Sequence, residues 1–480
     1  MDSPNKADRI ADEKLWQLVK VSVSAAIRMA IDVSSDGKTL PQYSNYPIIE
    51  RNNDGSFRGR SMGPAPDCVP NYGRIFGHRD GSNLPGPTFY TYDQVPGYAD
   101  LREYLTVTPP YARFYSPYRS VNEKSLQRRQ EIAIFDLVAG LCNRYIALNG
   151  LTMLINEESL REEYCRLERW ISSSELPVDV LIPIIGSSFD LDYVSLGDCS
   201  IERLDEHALA QLWPSEIAHR RNWIYAAPSH CLVISDFKIS NVGYFRWLDH
   251  TPEVELPDTV SRFFQALQLA TGRSNVGYAH YGYRPVGWSN SFMANLETLI
   301  CGPIDEQYRQ NEAVTVSPLS EDDYQLFVSL FRKFDGLKPN VAFGAKKYRS
   351  AFLRNDEADT IVDLCIALES ILGDRGETTH KLAIRVATIF SDQGWVGCDE
   401  IYNNVKKIYL HRSDLVHGNR NAEPSRTIGS VFGEEYTTLD IARLVAREVI
   451  IYAVHRGQLT GNEIDKILLS ILVEHAERPG

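Results

Sequence analysis

Asp359-Thr360-Ile361-Val362-Asp363-Leu364-Cys365-Ile366-Ala367-Leu368-Glu369-Ser370-Ile371-Leu372 sets an apolar stripe at Ile361, Leu364, Cys365, Leu368, Ile371 and Leu372. Recurrence at i, i+3, i+4 and i+7 is one face of an α-helix. Leu382, Val386 and Ile389 repeat the pattern in the next segment. Outward from this stretch, the chain from Ser317 onward is nearly all helical. Pro318 and the trio Glu321-Asp322-Asp323 start one helix, because proline and acids suit its positive end. Helices are expected over 320–335, 341–353, 357–372, 378–391, 399–417, 437–456 and 462–476. Gly373, Gly418 and Gly457 follow three of them, where glycine most easily forms a left-handed C-cap. Only 419–436 is a long connection.

Upstream the texture changes. Leu15, Leu18, Val19, Val23, Ala26 and Ile27 predict a helix over 11–32. Residues 34–120 are dense in Gly, Pro, Asn and Asp, which argues against long regular elements. Tyr90, Tyr92, Tyr98, Tyr104, Tyr111, Tyr115 and Tyr118 are interleaved there with Arg74, Arg79, Arg102, Arg113 and Arg119. Such rings and guanidinium groups can stack on unpaired bases. The preferred expectation is a loop-rich layer whose tyrosines pack on a neighbouring domain with wet hydroxyls. Helices return at 122–149 and 156–172. Short apolar runs at 178–185, 224–227 and 231–234 read as strands of a mixed or antiparallel sheet. Asp258–Thr271 reads as an embedded helix capped by its aspartate, and 274–291 as loop or hairpin. The expected fold class is α+β multidomain. It comprises 1–120 (helix plus loop-rich region), 121–316 (helical pair, then β-containing region) and a helical bundle over 318–478.

The formal charge of −13 and pI near 5.4 argue against a protein that coats duplex DNA through a broad basic face. They leave room for a small basic cleft. The first apolar stretch, 15–33, contains Lys20 and Arg28, so no secretory signal is expected, and no run reaches the length of a membrane span. The eight cysteines are scattered without a CxxC, which predicts reduced, buried thiols. A cytoplasmic protein with no membrane partner is the expectation.

Chemistry concentrates in the bundle. Glu369 stands at the edge of the 359–372 stripe, and Arg385 interrupts the next one. A carboxylate and a guanidinium on neighbouring apolar faces predict a partly buried pair that fixes helix register. The alternative is that Glu369 orients an active-site base. Further on, Tyr409-Leu410-His411-Arg412-Ser413-Asp414-Leu415-Val416-His417-Gly418 ends a helix. Arg412 and His417 lie about 140° apart around it, close enough to reach one groove near its end. By spacing alone, a His there serves as a cap that favours the cation. Residues 318–480 carry 20 Lys and Arg against 24 Asp and Glu, so any RNA surface must be local. Lys346, Lys347, Arg349, Lys406, Lys407, His411 and Arg420 cluster near the motif in sequence; a solvated helix face is an equal reading. Gly37-Lys38-Thr39 lacks the upstream glycine of a P-loop, and Asp205-Glu206-His207 reads as a helix start.

The ordered set of 359–372, Lys381-Leu382-Ala383-Ile384-Arg385-Val386-Ala387, Tyr409 and Arg412-Ser413-Asp414-Leu415-Val416-His417-Gly418 resembles the Apea-like HEPN domain. The resemblance covers about 318–478, one third of the chain, and residues 1–316 resemble no family. It implies a helical bundle that pairs with a second copy and, in many members, a metal-independent endoribonuclease. The family's catalytic Arg and His fall on Arg412 and His417, with Ser413, Asp414, Glu369 and Arg385 in support. Lys406, Lys407, His411 and Arg420 are the expected RNA contacts. Ser413 departs from the Asn, Asp or His that often follows the arginine. The implied chemistry is attack of an RNA 2′-hydroxyl on its adjacent phosphate. An imidazole moves the protons and a guanidinium stabilises the phosphoryl oxygens. No metal or cofactor is expected. The N-terminal body would then sense an unidentified trigger, as in prokaryotic anti-phage or toxin-like effectors. A non-catalytic module binding RNA, nucleotide or protein is the alternative, as is a sensor or scaffold acting through 1–316.

Overall fold

Helix α1 (Glu13–Ser35) begins where the Asp12 side chain accepts a hydrogen bond from the Leu15 amide at 3.0 Å. Leu15, Val19, Val23, Ala26, Ile27 and Ala30 then line its buried face. It is the first element of a computed structural model that describes residues 10–43, 46–51, 57–64, 69–77, 88–116, 123–212, 228–249, 255–290, 300–307, 316–373, 379–417, 427–431, 434–457 and 459–477.

Between 34 and 116 the described structure is short pieces, the longest being helix α2 (Tyr98–Val107). The tyrosines here are packing groups, and the hydroxyls of Tyr98, Tyr104 and Tyr111 are spent on protein acceptors rather than left to water. Tyr92 stacks on Phe135 at 4.1 Å, and the Tyr98 hydroxyl donates to the Glu131 carbonyl at 2.9 Å. Tyr104 and Tyr111 donate to Asp12 at 2.8 and 3.1 Å. Buried in this way, Tyr92, Tyr98, Tyr111 and Tyr115 offer no face to a base. Arg79, Tyr118 and Arg119 lie outside the described residues.

Helices α3 (Glu123–Asn149) and α4 (Glu157–Ser172) match their expected spans. A six-stranded antiparallel sheet follows, built from β1 (Glu175–Pro183), β2 (Tyr193–Ser195), β3 (Ser200–Arg203), β4 (His230–Ser240), β5 (Tyr278–Pro285) and β6 (Ile300–Gln307). Its spatial order is β6-β5-β1-β4-β3-β2, with Leu181 facing Gly282 on one side and Val233 on the other. The expected strand at 224–227 lies outside the described residues. Strand β5 overturns the loop and fits the hairpin of the two readings of 274–291, though its partner β6 lies beyond that range. Strand β5 is buried on both faces, so no polar alternation marks it in the sequence. Helix α5 (Asp258–Thr271), between β4 and β5 in sequence, has the expected span but not the expected cap. Asp258 is its first helical residue and Pro257 its N-cap, with no side-chain hydrogen bond.

The C-terminal part is a bundle of α6 (Glu321–Lys333), α7 (Pro339–Leu353), α8 (Glu357–Leu372), α9 (Thr379–Asp392), α10 (Cys398–Val416), α11 (Thr438–Arg456) and α12 (Gly461–Glu477). The antiparallel pair β7 (Thr427–Val431) and β8 (Glu434–Thr437) lies in the long connection between α10 and α11. Ser320, Asp356 and Thr437 cap α6, α8 and α11 by accepting from backbone amides. Gly457 takes the expected left-handed cap, with φ of 69°. Gly373 does not. Its backbone is extended while its amide closes the last turn on the Glu369 carbonyl, and a Cβ would strike that oxygen. Gly418 lies outside the described residues.

Helix α5 joins body to bundle. Phe264 packs on Tyr278 of the sheet at 4.9 Å, and Phe263 on Phe327 of α6 at 5.1 Å. One apolar cluster accordingly runs across the chain at both 120 and 317. Among the described residues, no helix is long and apolar enough to cross a membrane. Six described cysteines are free thiols and five of them are buried.

Candidate functional site

Helix α10 is held in the bundle by Ile401, Asn404, Val405, Ile408, Tyr409 and His411, all buried. At 100° per residue, Arg412 falls in the same core-facing sector. Near the helix end that sector opens, leaving Arg412 32% exposed. Its Nη1 lies 3.7 Å from Oε1 of Glu369 on α8, which is 37% exposed. Its Nε is buried with no hydrogen-bond partner. The Glu369 contact is longer than a hydrogen bond, so it places the guanidinium without saturating its five donors.

The floor beneath this pair is neutral. Burial pushes the Cys365 thiol up to about 12, with Glu369 adding to the rise and Arg412 opposing it. Burial likewise holds the Tyr409 hydroxyl well above its ordinary value, and it donates to the Cys365 carbonyl at 3.4 Å. Uncharged, poorly solvated groups screen weakly, so Arg412 and Glu369 act on one another and on any incoming anion more strongly than on open surface.

His417 is the C-cap of α10, its backbone amide bonded to the Ser413 carbonyl at 3.0 Å. Its side chain is exposed, on the outward line of Lys406, Leu410 and Ser413. Arg412 and His417 therefore stand at one end of one helix but on different sides of it. Asp414 is half-buried and Ser413 exposed. Leu410 and Val416 are large apolar groups left 65% and 58% exposed beside them.

Three expectations are corrected. Glu369 and Arg385 do not pair. Arg385, 1% exposed, donates to Asp465 of α12 at 2.9 and 2.8 Å and to the Leu372 carbonyl. It faces α12 because Gly461 there has no Cβ, and the guanidinium fills that space. Its place is structural, and Glu369 is left to Arg412. His411 is no RNA contact: it is 5% exposed, with Nδ1 3.5 Å from the Thr438 hydroxyl at the start of α11. Arg349 is buried as well, over the Phe264 ring. Lys406 and Lys407 are exposed, the former 5.3 Å from the Tyr402 ring centroid. Arg420 lies outside the described residues.

The Glu369–Arg412 contact has a faint signal in the sequence, since Cys365 and Glu369 are one turn apart on α8. Asp465, 80 residues beyond Arg385, has none. Among the described residues, no group of three or more His, Cys, Asp or Glu side chains is placed to share a metal ion. Comparison with protein-family models, with curated proteins and with solved structures finds no match to this chain.

Proposed function

We propose that the chain is a HEPN-type endoribonuclease that works without a metal, with Arg412 and His417 as its reacting pair. The Arg412–Glu369 contact carries this reading: a carboxylate places the guanidinium at the rim of the bundle, over a neutral floor, with donors unspent. The Nε is closed to solvent, so a phosphodiester would use the Nη donors of this one-third-exposed guanidinium. The exposed His417 imidazole can take and return a proton on RNA.

In the proposed step an imidazole takes the proton of a ribose 2′-hydroxyl as its oxygen attacks the adjacent phosphorus. The bond from phosphorus to the 5′-oxygen breaks, and an imidazolium returns a proton to that oxygen. The products are a 2′,3′-cyclic phosphate and a free 5′-hydroxyl. Arg412 stabilises charge on the non-bridging oxygens. Glu369 orients Arg412 and does not touch the substrate. The N-terminal body is proposed to restrain or trigger this site, consistent with α5 packing against both the sheet and α6.

Incubation of the full chain with single-stranded RNA tests the proposal. Cleavage is expected to persist in EDTA, to leave cyclic or 3′-phosphate ends, and to vanish in His417→Ala and Arg412→Ala. Loss of cleavage in EDTA with rescue by Mg²⁺ or Mn²⁺ overturns the mechanism.

A further inference from the structure

Residues 336–355 are unusual in an acidic chain: they contain Lys338, Lys346, Lys347, Arg349 and Arg354 and no carboxylate. They form helix α7 and its flanks. Within that helix, Phe343 leaves 46% of its surface exposed, where an aromatic side chain would ordinarily seek the core. The Lys347 ammonium stands 6.0 Å from the centroid of its ring, and Lys346 beside it is exposed.

Helix α8 lies between α7 and α10. Its Asp363 and Ser370 meet α7, through Lys347 at 3.0 Å and the Asn340 carbonyl at 3.3 Å. Its Cys365 and Glu369 meet α10, through Tyr409 and Arg412. Half-exposed Val362 and Ile366 lie between those two lines of contact. The two ends of this strip differ. Asp356, Glu357 and Asp359 crowd the start of α8, whereas Lys347 stands beside Asp363 at its middle and Asn340, two residues past Lys338, beside Ser370 at its far end. Glu369, the carboxylate at that far end, is already engaged by Arg412.

We propose that Phe343 is a base-stacking platform for single-stranded RNA, which crosses α8 from Phe343 to reach Arg412. Resting on the function proposed above, this assigns the substrate as unpaired RNA, held away from the reacting phosphate by one ring and nearby ammonium groups. Bases of any sequence stack on an aromatic face, and Lys346 attracts the backbone beside it. Charge complementarity favours a polyanion over an apolar partner, because the exposed ring is bordered by lysines. Phe343 is a positioning residue and takes no part in the proton transfers.

The test uses the full chain carrying His417→Ala, to prevent turnover, and a fluorescein-labelled twelve-nucleotide oligouridine. Anisotropy titration should show Phe343→Ala weakening binding about tenfold, Phe343→Leu nearly as much, and Phe343→Trp restoring it. A purely structural ring would tolerate leucine. Lys346→Ala should flatten the dependence of log K on log salt by about 0.7. With His417 intact, Phe343→Ala should raise KM for RNA rather than lower kcat. Equal affinity of Phe343→Ala and its parent overturns the platform, even where the native chain cleaves RNA. Dissociation of a dimer by Phe343→Ala overturns it too, by making the patch an interface between copies. Phe343-dependent binding without cleavage by the native chain upholds the platform and rejects the nuclease.

Discussion

Two arginines of the bundle, Arg385 and Arg412, meet the carboxylates of Asp465 and Glu369, and their burial gives them different tasks. Arg385 is enclosed, so removing the Asp465 carboxylate weakens the pairing of a guanidinium that water cannot reach. Asp465→Asn should cost about 3 kcal/mol in urea unfolding, at the low end for a broken buried pair because Asp465 itself is 37% exposed. Replacing Arg385 by Met in the same chain should recover much of that loss. An Asp465→Asn midpoint equal to the native one overturns the assignment. Arg385 also holds the Asp465 carboxyl below its ordinary value, first by hydrogen bonding. A depressed carboxylate stabilises the fold fully above its unfolded value of about 4 and loses that contribution as pH falls through the folded one. The native chain should therefore lose stability more steeply than the double variant below pH 4. Arg412 and Glu369 are each about one-third exposed and 3.7 Å apart, so Glu369→Gln should change stability by less than about 1 kcal/mol. Because Glu369 orients the guanidinium, the same change should lower cleavage at least tenfold. Unaltered cleavage would return Glu369 to a surface role.

At the scale of elements, the sequence reveals what is periodic and locally capped. All seven bundle helices lie within two residues of their expected bounds, since each carries its own apolar stripe and most carry a capping residue or terminal glycine. Strand β5 hides because burial on both faces erases alternation, and the tyrosines of 34–116 hide because their partners lie on α1, α3 and in the Glu131 backbone. At the site, Arg412 and His417 are visible as residues, but their facing is not. Whether Glu369 meets Arg385 or Arg412 depends on which helix packs across α8, a choice no local pattern encodes. The junction of α5 with α11 is similarly non-local. Arg447 of α11 donates to the Leu269 and Ala270 carbonyls at 2.6 Å each, closing the C-terminal turn of α5. Arg447→Ala should therefore destabilise by about 2 kcal/mol, as expected for lost hydrogen bonds from a charged donor. It should also speed amide exchange in the last turn of α5. Unchanged exchange there would show that this turn is held by other means.

For the whole molecule, the facing of Arg412 and His417 bears on assembly. One chain turns the guanidinium toward α8 and the imidazole outward with Leu410 and Ser413, so a phosphate seated against Arg412 is better served by an imidazole from another copy. The exposed Leu410 and Val416 beside the motif give such a pairing an apolar footing. A twofold axis near the end of α10 would present each Arg412 to the other chain's His417 and create two composite sites. Mixing protomers checks this. A dimer of one His417→Ala chain and one Arg412→Ala chain holds one site with both native side chains and one with neither. Random exchange of equal amounts makes half the dimers mixed, so activity should recover to about a quarter of native from two inactive parents. If each chain instead used its own pair, every site would lack one member and the mixture would stay silent. Silence in a mixture shown by mass to contain mixed dimers would remove the composite site, and full native activity in a chain shown to be monomeric would remove the need for pairing.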